Sequence, residues 1–276
     1  MGSFLGYWTH PLQPFIYVNR RFSGSFQTQR TCTAMSSPEK PVRVAALADL
    51  HHSPHSPPLK PLLAQVGEVA DVLLLGGDLT DRGSIEEAQS LARELAGLRI
   101  PIIAVLGNHD FEAGHPDEVR HLLGEAGVRI LDGEVTTLGD VGFAGVKGFG
   151  GGFGRWALTA WGERTIKHFV EEVLAETMKL ESALVRLETA TRIVLMHYSP
   201  IQATVEGEPL EIFPFLGSSH LEEPINRHGV AAVFHGHAHH GQPEAKTQTG
   251  IPVYNVSARV LHRCFPDQPG FRLVSL

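Results

Sequence analysis

The sequence is poor in cysteine, with only Cys32 and Cys264 among 276 residues. Two thiols cannot build a disulfide framework or a cysteine-rich zinc site. No apolar run approaches the ~18–20 residues that a membrane-spanning helix needs, so no membrane partner is expected. Charge is also sparse, at 19% Asp, Glu, Lys and Arg with a balance of −7. Proteins that grip many phosphates of a nucleic acid usually carry a basic face, and this composition disfavours that partner. Acidic residues are missing altogether before Glu39, where Arg20, Arg21 and Arg30 stand among Ser, Thr, Gln and aromatics. The stretch Phe15 to Val18 is too short for the core of a secretory signal, and Gly6 stands where N-myristoylation wants Ser or Thr. Residues 1–40 read as an N-terminal tail with a weak transit-like flavour, and the expected location is cytoplasmic.

What is present is 42% hydrophobic residues, an ordinary share for a globular chain. Residues 41–276 are enough for one α/β domain with a real core. The unusual count is 16 histidines. Imidazole is the commonest metal ligand and the usual proton carrier near neutral pH, so the positions of these residues matter.

From Pro41 onward, short apolar runs alternate with amphipathic stretches. Val42 to Ala48, Asp71 to Leu75 and Ile102 to Leu106 read as buried strands. Leu59 to Val69, Ile85 to Ala96 and Pro116 to Ala126 read as helices between and after them. Ser84 with Glu87 is a capping-box signature for the second helix. The alternation predicts parallel βαβ units. Shorter strands follow at Arg129 to Leu131, Val135 to Leu138 and Val141 to Val146, a part that reads as antiparallel. After the Gly-rich run Gly148 to Gly154, a helical insertion is expected at about 160–190, with Ile166, Phe169, Val173, Leu180, Leu184 and Leu187 on one stripe. Its near-heptad spacing suits packing on its own sheet or a homodimer contact. Strands resume at Arg192 to Met196, Ala231 to Phe234, Val253 to Val256 and Phe271 to Val274.

Five strand ends deliver polar groups: Asp49 and His51, Asp78, Asn108-His109-Asp110, His197, and His237 with His239. Ligands of open α/β sheets bind at the carboxyl ends of strands, so these groups are expected to meet at one edge. Asp49/His51 and His237/His239 are spaced i, i+2. On extended backbone that spacing turns both side chains to one face, so each pair can reach one ion together. One histidine beside a strand is usually a structural residue, and one strand-end Asp is often a helix cap. Coincidence at five separate places favours a metal site.

The series Asp-x-His (Asp49, His51), Gly-Asp-x-x-Asp-Arg (Gly77 to Arg82), Gly-Asn-His-Asp (Gly107 to Asp110), His197 and Gly-His-x-His (Gly236 to His239) resembles the calcineurin-like metallophosphoesterases, in their chain order. The resemblance implies a four-layer α/β/β/α sandwich with a dinuclear site at the strand C-terminal edge. It implies that Asp49, His51 and His239 hold one divalent metal, that Asn108, His197 and His237 hold the other, and that Asp78 bridges them. The implied activity is hydrolysis of a phosphodiester or phosphomonoester by a metal-activated hydroxide, with His109 as general acid for the leaving oxygen or as a stabiliser of developing charge, and Asp110 orienting its imidazole. Two divalent ions against two carboxylates leave local positive charge, which suits a small phosphorylated substrate. The mixed N/O ligands suit Mn, Fe, Zn or Co.

Other features carry less. Asp81 and Arg82 fit the motif but equally suit a helix cap or a surface ion pair. His52, His55, His235 and His240 crowd the ligand pairs and read as supporting or solvated residues. Gly152-x-Gly154-x-x-Ala157 formally matches a dinucleotide fingerprint, after a strand and before a helix, but it lies in the antiparallel-reading part and suits a Gly-rich hinge or loop over the metal edge better. Phe213-Pro214-Phe215 lies in a long connection and reads as a loop anchor or a pocket wall. A non-catalytic scaffold on the same fold is the alternative function. The presence of the whole ligand set with His109 argues against it.

Overall fold

Apolar runs of four to six residues are too short to hide a helix stripe, and here they pair into two sheets. The computed structural model describes residues 41–276; the segment 1–40, read above as a tail, lies outside them. The first sheet has the order β11-β1-β2-β3-β4. Its strands are β1 (Arg43–Leu47), β2 (Val72–Gly76), β3 (Ile102–Val105), β4 (Val128–Ile130) and β11 (Arg272–Ser275). β1 to β4 run parallel and β11 closes one edge antiparallel. The connections include α1 (Lys60–Val69), α2 (Ile85–Leu95) and α3 (Pro116–Glu125). α2 starts where the capping box sets it: the Glu87 N–H donates to Ser84 Oγ at 3.2 Å, and the Ser84 N–H donates to Glu87 Oε2 at 3.2 Å. Such a cap contributes about 1 kcal/mol.

The second sheet has the order β5-β6-β7-β8-β10-β9. Its members are β5 (Val135–Leu138), β6 (Val141–Val146), β7 (Thr191–Met196), β8 (Ala232–His235), β9 (Glu244–Lys246) and β10 (Pro252–Asn255). The antiparallel reading of this part holds only at the edges, for β5 on β6 and β9 on β10. β6, β7, β8 and β10 are parallel. The reason is the long helix α4 (Arg164–Arg186), which supplies the crossover from β6 to β7.

Side-chain alternation makes the layers. Phe143, Ile193, Leu195, Ala232 and Phe234 point towards the first sheet and share a core with Val44, Leu73 and Ile103. The intervening Ala144, Val146, Val194, Met196 and Val233 point the other way, onto Leu180, Ala183 and Leu184 of α4. Both faces of the second sheet are thus buried, and the result is a four-layer α/β/β/α sandwich. Each fully buried Leu or Val contributes roughly 1.5–3 kcal/mol. The C-terminal half of the α4 stripe is spent on this packing: Leu180, Leu184 and Leu187 are buried against their own sheet, while Val173 is buried near the Gly-rich loop and Ile166 is exposed. Among the described residues no helix is long and apolar enough to cross a membrane.

Four elements have no sequence signal above. β9 is a three-residue edge strand, and α5 (Phe213–Leu216), α6 (Glu222–Arg227) and α7 (Ala258–Cys264) are two turns or shorter. Elements of that length cannot display a period.

Candidate metal centre

β1, β2 and β3 of one sheet and β7 and β8 of the other end at the same edge, and the polar residues follow directly. Asp49, His51, Asp78 and His237 all have left-handed backbone, with φ of 58°, 42°, 47° and 68°. This corrects the extended i, i+2 geometry: the side chains converge because the chain turns at these residues. Left-handed backbone costs a non-glycine residue about 1 kcal/mol or more, so it persists only where neighbours enforce it. Here they do. The N–H groups of Asp49 and His51 donate to the carbonyls of Gly77 and Asp78, both at 3.0 Å. The His237 N–H donates to both Asp49 oxygens, at 3.0 and 3.1 Å. The motif glycines have a steric cause as well. A Cβ at Gly107 would collide with the Asp78 carboxylate, and one at Gly77, at φ 88°, would run into the His197 ring.

Asp49, His51 and His239 form one group whose ligand atoms lie within 4.8 Å of one another, and Asp78, His197 and His237 form a second. The two touch through Asp78. Its Oδ2 lies 3.8 Å from His51 Nε2, and its Oδ1 lies 3.4 Å from His197 Nε2. Asn108 joins the second group, its Oδ1 at 2.9 Å from His197 Nε2. His237 and His239 therefore face different groups, and that pair does not reach one ion together as the spacing suggested. Asp49 and His51 do fall in one group.

Three observations fit these residues to cations. His51 Nε2 and His239 Nε2 are buried nitrogens that make no well-formed hydrogen bond and face only carboxylates, Asp78 Oδ2 at 3.8 Å and Asp49 Oδ1 at 3.3 Å. His197 Nδ1–H donates to the Gly76 carbonyl at 2.9 Å, which aims Nε2 at two acceptors, Asn108 Oδ1 and Asp78 Oδ1. His237 Nε2–H donates to the Phe215 carbonyl at 3.0 Å, leaving Nδ1 for the site. A second ring nitrogen held by a carbonyl is the usual way to orient a metal-ligating histidine. Acceptors that converge like this need positive charge between them.

The electrostatics agree. Burial opposes ionisation of Asp78, but the charge and hydrogen bond of His197 and the His109 N–H outweigh it, holding the carboxyl well below its usual range. Asp49 is likewise lowered, burial being outweighed by its bond to His239 and the charge of His197. His197 is raised to about 9 against its burial, mainly by the Asp78 charge and hydrogen bond. Burial, with the charge of His197, pushes His237 down to about 3.

His109 lies at the rim with its ring 4.5 Å from that of His51. Its N–H donates to Asp78 Oδ1 at 2.8 Å, and Nδ1 meets the Asp81 carbonyl at 2.6 Å. Asp110 does not orient that imidazole. It is fully buried, and its oxygens accept from the N–H groups of Leu79, Thr80 and Gly107 and from the Thr80 hydroxyl. Asp110 therefore ties the loop after β3 to the loop after β2. Asp81, read above as a cap or surface partner, has the larger part. Its carbonyl holds His109, and its carboxylate lies 3.9 Å from His51 Nδ1. The Phe215 carbonyl had no sequence signal, because a backbone acceptor leaves none.

The surrounding histidines separate by contact. His235 is buried, bonded to the Gly236 carbonyl and Thr204 Oγ1, and its burial pushes it down to about 4. His52 bonds Ser90 at 3.1 Å, and His240 pairs with Glu208 at 3.1 Å. His55 is exposed. The dinucleotide reading fails: Gly154–Trp156 is a single 3₁₀ turn, and the next α-helix begins only at Arg164. The glycines instead let this loop lie against the segment that holds His237, with Gly151 N–H donating to the Pro214 carbonyl at 2.6 Å and Gly152 N–H to Gly217 at 2.8 Å.

Residues 42–241 match the calcineurin-like phosphoesterase family. The chain belongs to that family. The family chemistry is phosphoester hydrolysis, and its members typically bind divalent metals. The fold is similar to the phosphopantetheinyl hydrolase PptH from Mycobacterium tuberculosis, with a TM-score of 0.61 at 17% identity over 85% of this chain and 96% of the other. It is also similar to TT1561 of Thermus thermophilus, with a TM-score of 0.51 at 18% identity over 85% and 99%. GAP50, described as the anchor in the inner membrane complex of Plasmodium, has a TM-score of 0.50 at 13% identity over 80% and 73%. No curated protein matches the sequence.

Proposed function

We propose that this phosphoesterase is dinuclear and hydrolyses a small phosphorylated molecule, as a phosphomonoester or phosphodiester. One observation carries the reading: the two oxygens of Asp78 face one imidazole from each of two three-residue ligand groups. A shared carboxylate between adjacent acceptor clusters is what a bridged pair of cations requires. Divalent ions held there would polarise the phosphoryl oxygens and acidify a water for attack at neutral pH. Asp49, His51 and His239 would hold one, and Asn108, His197 and His237 the other. Their mixed N/O donors suit Mn, Fe, Zn or Co.

The chain's own part in the chemistry falls to His109. With Nδ1–H on the Asp81 carbonyl, Nε2 is the free nitrogen; as the imidazolium, His109 would deliver the Nε2 proton to the leaving oxygen and remain as the Nδ1–H neutral ring. The Asp78 bond to the His109 backbone N–H keeps that ring beside the ligand groups. Asp110 contributes by fixing the loop that carries Asn108 and His109. The scaffold alternative is disfavoured because no ligand position and no proton donor has been lost. The name of the Mycobacterium tuberculosis neighbour concerns that enzyme, and at 17% identity the likeness carries the fold and not the substrate. The test is hydrolysis of p-nitrophenyl phosphate and bis-p-nitrophenyl phosphate by protein stripped with chelator and reloaded with Mn²⁺, Fe²⁺, Zn²⁺ or Co²⁺. Activity that vanishes on stripping and returns on loading is expected. Inertness towards both esters with every metal contradicts the reading.

A further inference from the structure

We infer that Lys147 is a specificity-determining residue that binds a second anionic group, a carboxylate or a phosphate, on the leaving-group side of the substrate. Lys147 follows β6, and its carbonyl accepts the N–H groups of His197 and Tyr198 at 3.0 and 3.1 Å. Its ammonium stands among three aromatic rings, 4.8 Å from Phe149, 5.5 Å from Tyr198 and 5.7 Å from Phe111. Two of these rings border the metal centre. Tyr198 packs 4.4 Å from the ring of His237, and Phe111 is two residues from His109. The cation is thus bracketed between the second ligand group and the proton donor.

A side chain in that position is costly unless it is used. Lys147 is 13% exposed, and burial lowers its pKa. The neighbouring acids, Glu176 and Glu172, offset part of that burial by their charge but take none of its N–H donors at hydrogen-bond distance. Glu172 Oε1 is 4.0 Å away and half exposed, while the oxygens of Glu176 go to Lys179 and the Gly148 N–H. One of its three N–H donors is taken, by the Gly148 carbonyl at 2.9 Å. The remaining donors are a receptor for anionic oxygen in a weakly solvated place, where charge-assisted bonds are strongest. Beside it lies a cavity of about 90 Å³, lined by Leu106, Phe111, Asp117, Arg120, Leu131 and Lys147 among others. That space admits several waters and is large enough for one carboxylate or phosphate. Arg120 does not compete for the anion, because Glu134 takes it at 2.6 Å.

The side of the substrate follows from His109. This inference rests on the phosphoesterase reading, in which His109 protonates the leaving oxygen, so the leaving group lies towards Phe111 and Lys147.

The experiment uses the metal-loaded protein and three esters that release a nitrophenolate: p-nitrophenyl phosphate, 3-carboxy-4-nitrophenyl phosphate and 3-phosphono-4-nitrophenyl phosphate. The ratio of kcat/KM for an anion-bearing ester to that for the plain ester is expected to fall about tenfold or more in Lys147→Met, through KM rather than kcat. Lys147→Arg should keep most of the ratio, and the exposed Lys167→Met should leave it unchanged. Which of the two anionic esters is favoured distinguishes a carboxylate receptor from a phosphate receptor. Equal ratios in Lys147→Met and wild type overturn the inference. Calorimetric titration with 5-hydroxy-2-nitrobenzoate reads the same contact without turnover. Binding weakened in Lys147→Met supports it even if hydrolysis fails, and identical binding in the two proteins refutes it. A thermal melt matching wild type shows that Lys147→Met is folded.

Discussion

The two ligand groups solve the same electrostatic problem differently. In the Asp49, His51 and His239 group, each of two buried imidazole nitrogens faces one carboxylate oxygen, at 3.8 and 3.3 Å, without a well-formed hydrogen bond. In the Asp78, Asn108, His197 and His237 group, His197 sits between two acceptors and is raised to about 9. The first group has acceptors waiting for charge. The second holds an imidazole proton between acceptors that a cation could take. On the dinuclear reading, a cation entering the second group would have to displace that proton, so its binding would be coupled to proton release.

The comparison can be broken at the residue the groups share. Asp78→Asn removes charge from both, so turnover should fall at least about a thousandfold and metal analysis should find both ions weakened. His239→Ala touches only the first group and should weaken one ion about 10–100-fold while the other stays. A variant of Asp78 that loses only one ion would show that the groups are not bridged. A lesser effect is expected from His109→Ala: turnover falls about a hundredfold with metal content nearly unchanged, as suits a proton donor outside both groups. Equal activity in that variant removes His109 from the mechanism.

The mildest effect separates the groups by pH. The His197 pKa is raised from 6.5 when unfolded to about 9 when folded. Its contribution to stability is therefore complete below about pH 6.5 and disappears as pH rises through 9. Asp78, whose pKa is lowered, contributes above its unfolded value near 3.8 and is lost as pH falls. The chelator-treated protein should melt about 5 °C or more lower at pH 9.5 than at pH 6.5, and metal should flatten that slope. A melting temperature independent of pH over that range would mean that His197 holds no extra proton.

The sequence discloses the candidate ligand residues because each stands directly after an apolar run, and strand ends at one edge must converge. It discloses the first sheet for the same reason, down to the Ser84 cap of α2. It could not show how the residues meet. Positive φ at Asp49, His51, Asp78 and His237 is a tertiary outcome, enforced by bonds between separate loops. Asp110 illustrates the limit: adjacency to His109 suggested an orienting pair, yet its carboxylate turns inward to four donors, and a backbone carbonyl holds the imidazole instead. Parallel pairing of β6 with β7 was hidden because the crossover helix α4 lies so far along the chain from β6. Lys147 belongs to no motif, and only the rings around its ammonium mark it.

Anomalous diffraction from crystals of the Mn²⁺-loaded protein, recorded on both sides of the metal edge, tests the central claim most directly. Two peaks are expected about 3.5–4 Å apart, one among Asp49, His51 and His239, the other among Asn108, His197 and His237, with Asp78 within bonding distance of both. A single peak, or two that do not share Asp78, would contradict the account.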